Sequence, residues 1–351
     1  MFTPPIVRWS RTGLFRPSPV AAEPVRHPPR ARGGRSLICG ILATMAFATS
    51  LAQAEPQLQR IRIATIAAPD LRKVEADYTR WLGYRVRERG KVPAELAASW
   101  DAPRAAGRPY LLMSSDAHPD VFIRAVRTPA VPGYKPITTY GWNSIEIIVD
   151  DPDATRRSLE RSPFKVIGEP ANLKGYPSIR AFQVQGRSAE VLYLTAETGD
   201  RSRSSLPLPG GPIGRPFIMV LAGPDIQAMI DWYASGFGLV AGTPRPSPIG
   251  VVQRAQGLPA DQGTPLTTMR LAQHGNLFEL DGYTAPATVR PRAPGELPPG
   301  IALTTVSVRS LDALKLPFIT PPAVRAGLAY GGHRAATVRG AAGELLEIIE
   351  E

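Results

Sequence analysis

The sequence predicts an α+β fold of four βαβββ modules arranged in two pairs, and three observations carry that prediction. The 351-residue chain repeats itself at a spacing of about 155 residues: Pro69-Asp70 returns as Pro224-Asp225, Tyr78 and Gly83 return as Tyr233 and Gly238, and Val121–Arg124 falls on Asn276–Glu279. A further stretch repeats at nearly the same offset, Gly186-Arg187-Ser188-Ala189-Glu190-Val191-Leu192-Tyr193 against Gly340-Ala341-Ala342-Gly343-Glu344-Leu345-Leu346-Glu347. A repeat this long signals two copies of one fold rather than a short-period solenoid. Finally, each copy divides again, into one segment of helical period followed by runs of strand-like alternation.

The elements follow in order. Ile61–Ile66 is strand-like, and Asp70 is placed to cap a helix whose Leu71, Val74, Tyr78 and Trp81 recur at helical spacing until Gly83 stops it. Strands are expected at Tyr84–Arg89, Pro109–Met113 and Val121–Val126. The pattern restarts at Asn143–Val149, with Pro152 tolerated in the first turn of a second helix, and continues through Phe164–Gly168, Ile179–Val184 and Glu190–Leu194. Residues 200–215, rich in Ser, Pro and Gly, read as a linker between a first domain over 57–199 and a second over 216–351. The third unit takes Phe217–Leu221, a helix from Asp225 through Tyr233, Leu266–Leu271 and Asn276–Leu280. The fourth takes Ile301–Val308, a short helix near Leu311, Ala335–Arg339 and Leu345–Ile349.

The formal charge of +11 is not spread like a nucleic-acid footprint. Residues 1–54 hold seven arginines against the single acid Glu23, and the rest carries 34 bases against 29 acids without basic runs or interleaved aromatics. No nucleic-acid partner is expected. Arg32 and Arg35 precede an uncharged run, Leu37–Ala54, that ends in Ala52-Gln53-Ala54, the small-x-small pattern of a signal peptide cleaved after Ala54. The expectation is a periplasmic or secreted protein, with no stable membrane span once residues 1–54 are removed. The only cysteine, Cys39, lies inside this leader, which suits an oxidising compartment.

Four βαβββ units with Tyr78-x-x-Trp81-Leu82-Gly83-Tyr84, Trp232-Tyr233-x-x-Gly236-Phe237-Gly238-Leu239, Gly275-Asn276-Leu277-Phe278-Glu279-Leu280 and Gly343-Glu344-Leu345-Leu346-Glu347-Ile348 resemble the vicinal oxygen chelate superfamily. That group includes glyoxalase I, extradiol dioxygenases, fosfomycin-modifying enzymes and bleomycin-resistance proteins. The resemblance covers about 57–351 and implies that pairs of modules curl into two half-open β-barrels. It also implies a divalent metal in each barrel, held by a residue early in the first strand and one in the last strand of each module, with positions left open for two substrate oxygens.

On that template the first-strand positions fall on Ile63, Ser144, Ile218 and Leu303, and the last-strand positions on Arg124, Tyr193, Glu279 and Glu347. With consecutive modules paired, the first barrel has no ligand set, and the second keeps two carboxylates, Glu279 and Glu347, to share Mn, Fe, Ni, Zn or Mg. None of His27, His118, His274 and His333 falls on a ligand position, which argues against a two-His iron dioxygenase. Both glutamates sit in strands apolar on both faces, where an ionised carboxylate is costly unless paired, protonated or metal-bound. The alternative is a local hydrogen bond from an Arg or Tyr with no chemistry. Alternation puts Ser144, Glu146 and Ile148 on one face, so an Arg124–Glu146 ion pair is expected where a metal would otherwise sit, with Tyr193 nearby. The alternative is Arg124 pointing to water. Arg124, Glu146, Tyr193 and Thr305 are the candidate substrate contacts.

Two functions compete. One is a metal-assisted lyase, isomerase or dioxygenase-like enzyme on a small oxygenated molecule; the other is a metal-free small-molecule binder of the bleomycin-resistance type. The partner is a small-molecule ligand in either case, and the protein a monomer or homodimer.

Overall fold

The computed structural model describes residues 55–351, so the expected leader, Cys39 and His27 lie outside the described residues. Module 1 runs β1 (Leu58–Ala68), α1 (Leu71–Trp81), β2 (Arg85–Lys91), α2 (Ala94–Ser99), β3 (Pro109–Ser114) and β4 (Phe122–Arg127). Module 2 runs β5 (Gly141–Val149), α3 (Pro152–Ser158), β6 (Lys165–Leu173), β7 (Tyr176–Gln185) and β8 (Val191–Glu197). Module 3 runs β9 (Ile213–Gly223), α4 (Ile226–Phe237), β10 (Arg245–Ser247), α5 (Gly250–Gln256), β11 (Thr264–Arg270) and β12 (Leu277–Gly282). Module 4 runs β13 (Gly300–Val308), β14 (Ala323–Val324), β15 (Arg334–Arg339) and β16 (Leu345–Glu350).

Asp70 caps α1 as expected, and Asp151 and Asp225 open α3 and α4 in the same way. Asp70 accepts from the Arg72 and Lys73 amides, Asp151 from those of Asp153 and Ala154, and Asp225 from Ala228, which satisfies amides that the first turn leaves unpaired. Gly238 ends α4 at φ 67°, a left-handed cap that costs glycine nothing. The helix expected near Leu311 does not form: Leu311 and Leu314 close one turn, the Leu311 amide is taken by Glu350, and Pro317 blocks continuation.

Strand order corrects the expected pairing of modules. One eight-stranded sheet runs β14-β15-β16-β13-β1-β4-β3-β2 and the other β10-β11-β12-β9-β5-β8-β7-β6. Module 1 therefore pairs with module 4, and module 2 with module 3. The joins are antiparallel first strands, β1 with β13 (Ile63 opposite Thr305) and β5 with β9 (Ser144 opposite Val220). Each first strand also pairs in parallel with its own module's last strand, Thr65 opposite Arg124, Glu146 opposite Tyr193, Val220 opposite Glu279 and Thr305 opposite Glu347. The stretch expected as a linker ends early, because β9 begins at Ile213.

Alternation then sorts the side chains. Ala64, Ile66, Ile145, Ile147, Met219, Leu221, Leu346 and Ile348 turn to one shared core with Val74 and Tyr78 of α1 and Met229, Tyr233 and Phe237 of α4. Trp142 of β5 reaches across this core and donates to the Leu345 carbonyl at 2.8 Å. The opposite faces line the two barrels.

The repeated Gly-x-x-x-Glu stretches explain themselves as joints between modules. In the turn before β8, Glu190 accepts from the Ser188 amide at 3.0 Å and from the Tyr78 hydroxyl of α1 at 3.4 Å. In the equivalent turn before β16, Glu344 accepts from the Ala342 amide and the Tyr233 hydroxyl of α4, both at 2.9 Å. Both carboxyls are buried, and burial raises each pKa, that of Glu190 to about 7. Gly186 and Gly340 are required because a Cβ there would collide with the carboxylate. These motifs are structural.

Candidate functional site

In the module 1/4 barrel, β1, β4, β13 and β16 turn Ile63, Thr65, Phe122, Arg124, Leu303, Thr305, Leu345 and Glu347 inward. Arg124 is 2% exposed and Glu347 1%, so Arg124 does not point to water. The Arg124 guanidinium donates to Glu347 Oε2 at 3.0 Å, to Thr65 Oγ1 at 3.0 Å and to the Tyr330 hydroxyl at 2.6 Å. Glu347 also accepts from Thr305 Oγ1 at 2.7 Å, Trp100 Nε1 at 2.7 Å and the Tyr330 hydroxyl at 2.9 Å. Trp100, just after α2, stacks its ring 4.4 Å from the guanidinium carbon. Arg124 does form a buried ion pair, but its partner is Glu347, not Glu146. Glu146 is on the other sheet.

The module 2/3 barrel holds what remains. Ser144 and Glu146 from β5, Tyr193 and Thr195 from β8, Ile218 and Val220 from β9, and Glu279 and Asp281 from β12 share its inner face by strand alternation. Thr195 Oγ1 donates to Glu146 Oε2 at 3.0 Å. Glu279 remains partly accessible, and no side chain or amide among the described residues donates to it. Asp281 is 1% exposed, and its Oδ1 has no hydrogen-bond partner among the described residues.

Burial dominates the electrostatics here. Desolvation lifts Glu146 to about 7. It lifts Asp281 to about 8, helped by the charge of Glu146, and lifts Glu279 well above the carboxylate range, helped by Asp281 and Glu146. Tyr193 is raised by burial and by the same three acids, with a hydrogen bond from Ser144 opposing the shift. Glu279 and Asp281 therefore stay largely protonated near pH 7 while Glu146 sits at its midpoint, so that the group offers O–H donors as well as acceptors.

The six sequence-derived residues thus divide evenly. Arg124, Thr305 and Glu347 meet in one barrel; Glu146, Tyr193 and Glu279 meet in the other. The expected convergence of Glu279 and Glu347 on one metal is corrected, because crossed module pairing puts them on different sheets.

Neither barrel has a donor set that fits the metal the fold family implies. In the first, both oxygens of the one carboxylate are committed to four donors. In the second, the family positions supply Ser144, Ile218, Tyr193 and Glu279. No three His, Cys, Asp or Glu side chains come together as a ligand set among the described residues.

Five participants were not marked in the sequence. Asp281, Thr65 and Thr195 were detectable, since each lies two residues beyond a position already named, Glu279, Ile63 and Tyr193, and so on the same strand face. Trp100 and Tyr330 reach the barrel from outside the strands, and no periodicity marks them.

No family profile and no curated protein matches the sequence. Solved structures do match. Glyoxalase I from Zea mays is 14% identical, with a TM-score of 0.55 over 83% of this chain and 92% of that one. A candidate dioxygenase from Bacillus subtilis is 13% identical, with a TM-score of 0.58 over 85% of this chain and 86% of that one. The chain therefore shares its overall fold with these solved structures.

Proposed function

We propose that this protein binds a small oxygenated molecule in the module 2/3 barrel without a metal ion. The observation that carries this reading is the contrast between the barrels. One has its carboxylate neutralised by Arg124 and covered by Trp100; the other keeps Glu279, with no donor to it among the described residues, beside Glu146, Asp281 and Tyr193. Neutral carboxylic acids and a phenol in a buried setting donate to ligand carbonyl, hydroxyl or ether oxygens, and such bonds are stronger there than in water. Each barrel is complete within one chain, so binding requires no second copy. The leader-like residues 1–54 support export to the periplasm or beyond.

The test is thermal denaturation of the full chain with Mn, Fe, Ni, Zn or Mg, and separately with a panel of small polyols, quinones and hydroxy ketones. A ligand specific to the native state raises the melting temperature. The expected result is stabilisation by members of the organic panel that Glu279→Gln abolishes and Glu347→Gln spares. Stabilisation by a metal that disappears in Glu279→Gln would replace this reading with metal-assisted chemistry.

A further inference from the structure

The 155-residue repeat sets Arg60 and Arg215 at equivalent places, each the third residue of its strand, β1 and β9. Both line one crevice of about 200 Å³. Its other walls come from two turns that the repeat also relates, the β3–β4 turn with His118 and Asp120 and the β11–β12 turn with His274 and Asn276. The repeat has thus brought two guanidinium groups to a single opening.

The two arginines are not matched alike. Arg60 pairs with Asp120 and lies 3.6 Å from Glu351, while neighbouring Arg62 shares both acids, at 3.8 and 2.8 Å. The repeat partner of Asp120 is Gly275, which brings no carboxylate. Among the described residues Arg215 accordingly donates only to neutral acceptors: the Pro216 carbonyl at 3.0 Å, Asn276 Oδ1 at 3.1 Å and the Gly275 carbonyl at 3.1 Å. Those bonds use Nη1 and Nη2 and leave the Nε–H uncommitted among five donors. Three guanidinium groups face two side-chain carboxylates, and the surplus charge falls on Arg215. Burial pushes the Arg215 guanidinium down to about 10, with the charge of Asp120 opposing the shift and repulsion from Arg60 adding to it; an anion at the crevice would reverse it.

The histidines add shape. His118 Nε2 lies 3.0 Å from the Pro209 carbonyl, and His274 Nε2 lies 3.0 Å from the Ser204 carbonyl. Each ring therefore donates to the segment joining modules 2 and 3 and holds it beside the opening.

We propose that this crevice is an oxyanion site, taking a small carboxylate or phosphate group on Arg215 with Arg60 assisting. It shares no residue with the module 2/3 barrel and stands whether or not that barrel binds a ligand. Arginine fits such groups because its planar fork matches two oxygens at once.

The test titrates the full chain with inorganic phosphate and, separately, with acetate, with chloride at matched ionic strength as control. The His118 and His274 Cε1–H resonances are followed by NMR. Saturable shifts with phosphate, acetate or both are expected, and none with chloride; the anion that binds identifies the group. Affinity should fall about tenfold or more in Arg215→Gln and in Arg60→Gln, as loss of a charged hydrogen-bond partner implies. It should rise several-fold in Asp120→Asn, which removes negative charge from the crevice and spares the hydrogen bonds of Arg215. If Arg215→Gln does not fold, the opposite signs of the other two variants still decide. No saturable shift, a shift that chloride reproduces, or equal affinity in all variants would overturn the proposal.

Discussion

Consider removing one member of the Arg124–Glu347 pair. Glu347 is 1% exposed and receives four hydrogen bonds, from Arg124, Thr305, Trp100 and Tyr330, so truncating Arg124 to Met leaves a buried carboxylate with three neutral donors. Breaking one side of a buried pair costs about 3–5 kcal/mol, because the remaining charge keeps its desolvation cost without its counter-charge. Glu347→Leu should cost a similar amount by stranding Arg124. The double variant should recover at least about 2 kcal/mol of the summed loss, since an apolar replacement of both partners leaves no orphan charge. Urea unfolding followed by tryptophan fluorescence measures this, and Trp100 stacked on Arg124 makes the barrel itself visible. Single-variant losses below about 1 kcal/mol, or strict additivity in the double, would refute the reading of this barrel as a closed, internally neutralised structure.

Other consequences follow from the same geometry. Trp100→Ala should cost about 3–5 kcal/mol in chemical denaturation, since it empties a fully buried indole site and removes a donor to Glu347. Ala189 holds φ 62° where its counterpart Gly343 holds φ 79°, so Ala189→Gly should stabilise by roughly 1 kcal/mol, whereas Gly343→Ala should destabilise. The carboxyls of Glu146, Glu190 and Asp281 have raised folded-state pKa values, so the native state keeps protons that the unfolded chain releases. Their contribution to stability is therefore lost as pH rises from the ordinary carboxylate range through about 7 to 8. Asp281→Asn, compared with the unaltered chain at about pH 5 and about pH 8, should gain on the order of 3 kcal/mol more at the higher pH; an equal effect at both would remove the case for a neutral acid cluster.

Much of this architecture was legible because helix caps and strand alternation are local. Asp70, Asp151 and Asp225 mark helix starts through amide groups two or three residues away, and the alternation of Ser144, Glu146 and Ile148 gives the right inner face. The short elements α2, α5, β10 and β14 were not legible, since two to seven residues carry too little pattern against Pro-rich surroundings. Module pairing was hidden for a different reason. Ile63 meets Thr305 across some 240 residues, and four similar first strands offer equally suitable edges, so nothing within one strand names its partner. That single non-local fact decided the site. It separated Glu279 from Glu347, gave Arg124 a glutamate other than Glu146, and left one barrel neutralised and the other not.

The central claim is that the two barrels have diverged, one to a closed core and one to a ligand pocket. The most direct test is to map a stabilising compound from the organic panel by amide and side-chain chemical-shift changes on the full chain. The changes should concentrate on Glu146, Tyr193, Glu279 and Asp281 and leave Trp100, Arg124 and Tyr330 at rest. Shifts centred on Trp100 and Arg124, with β12 silent, would contradict it.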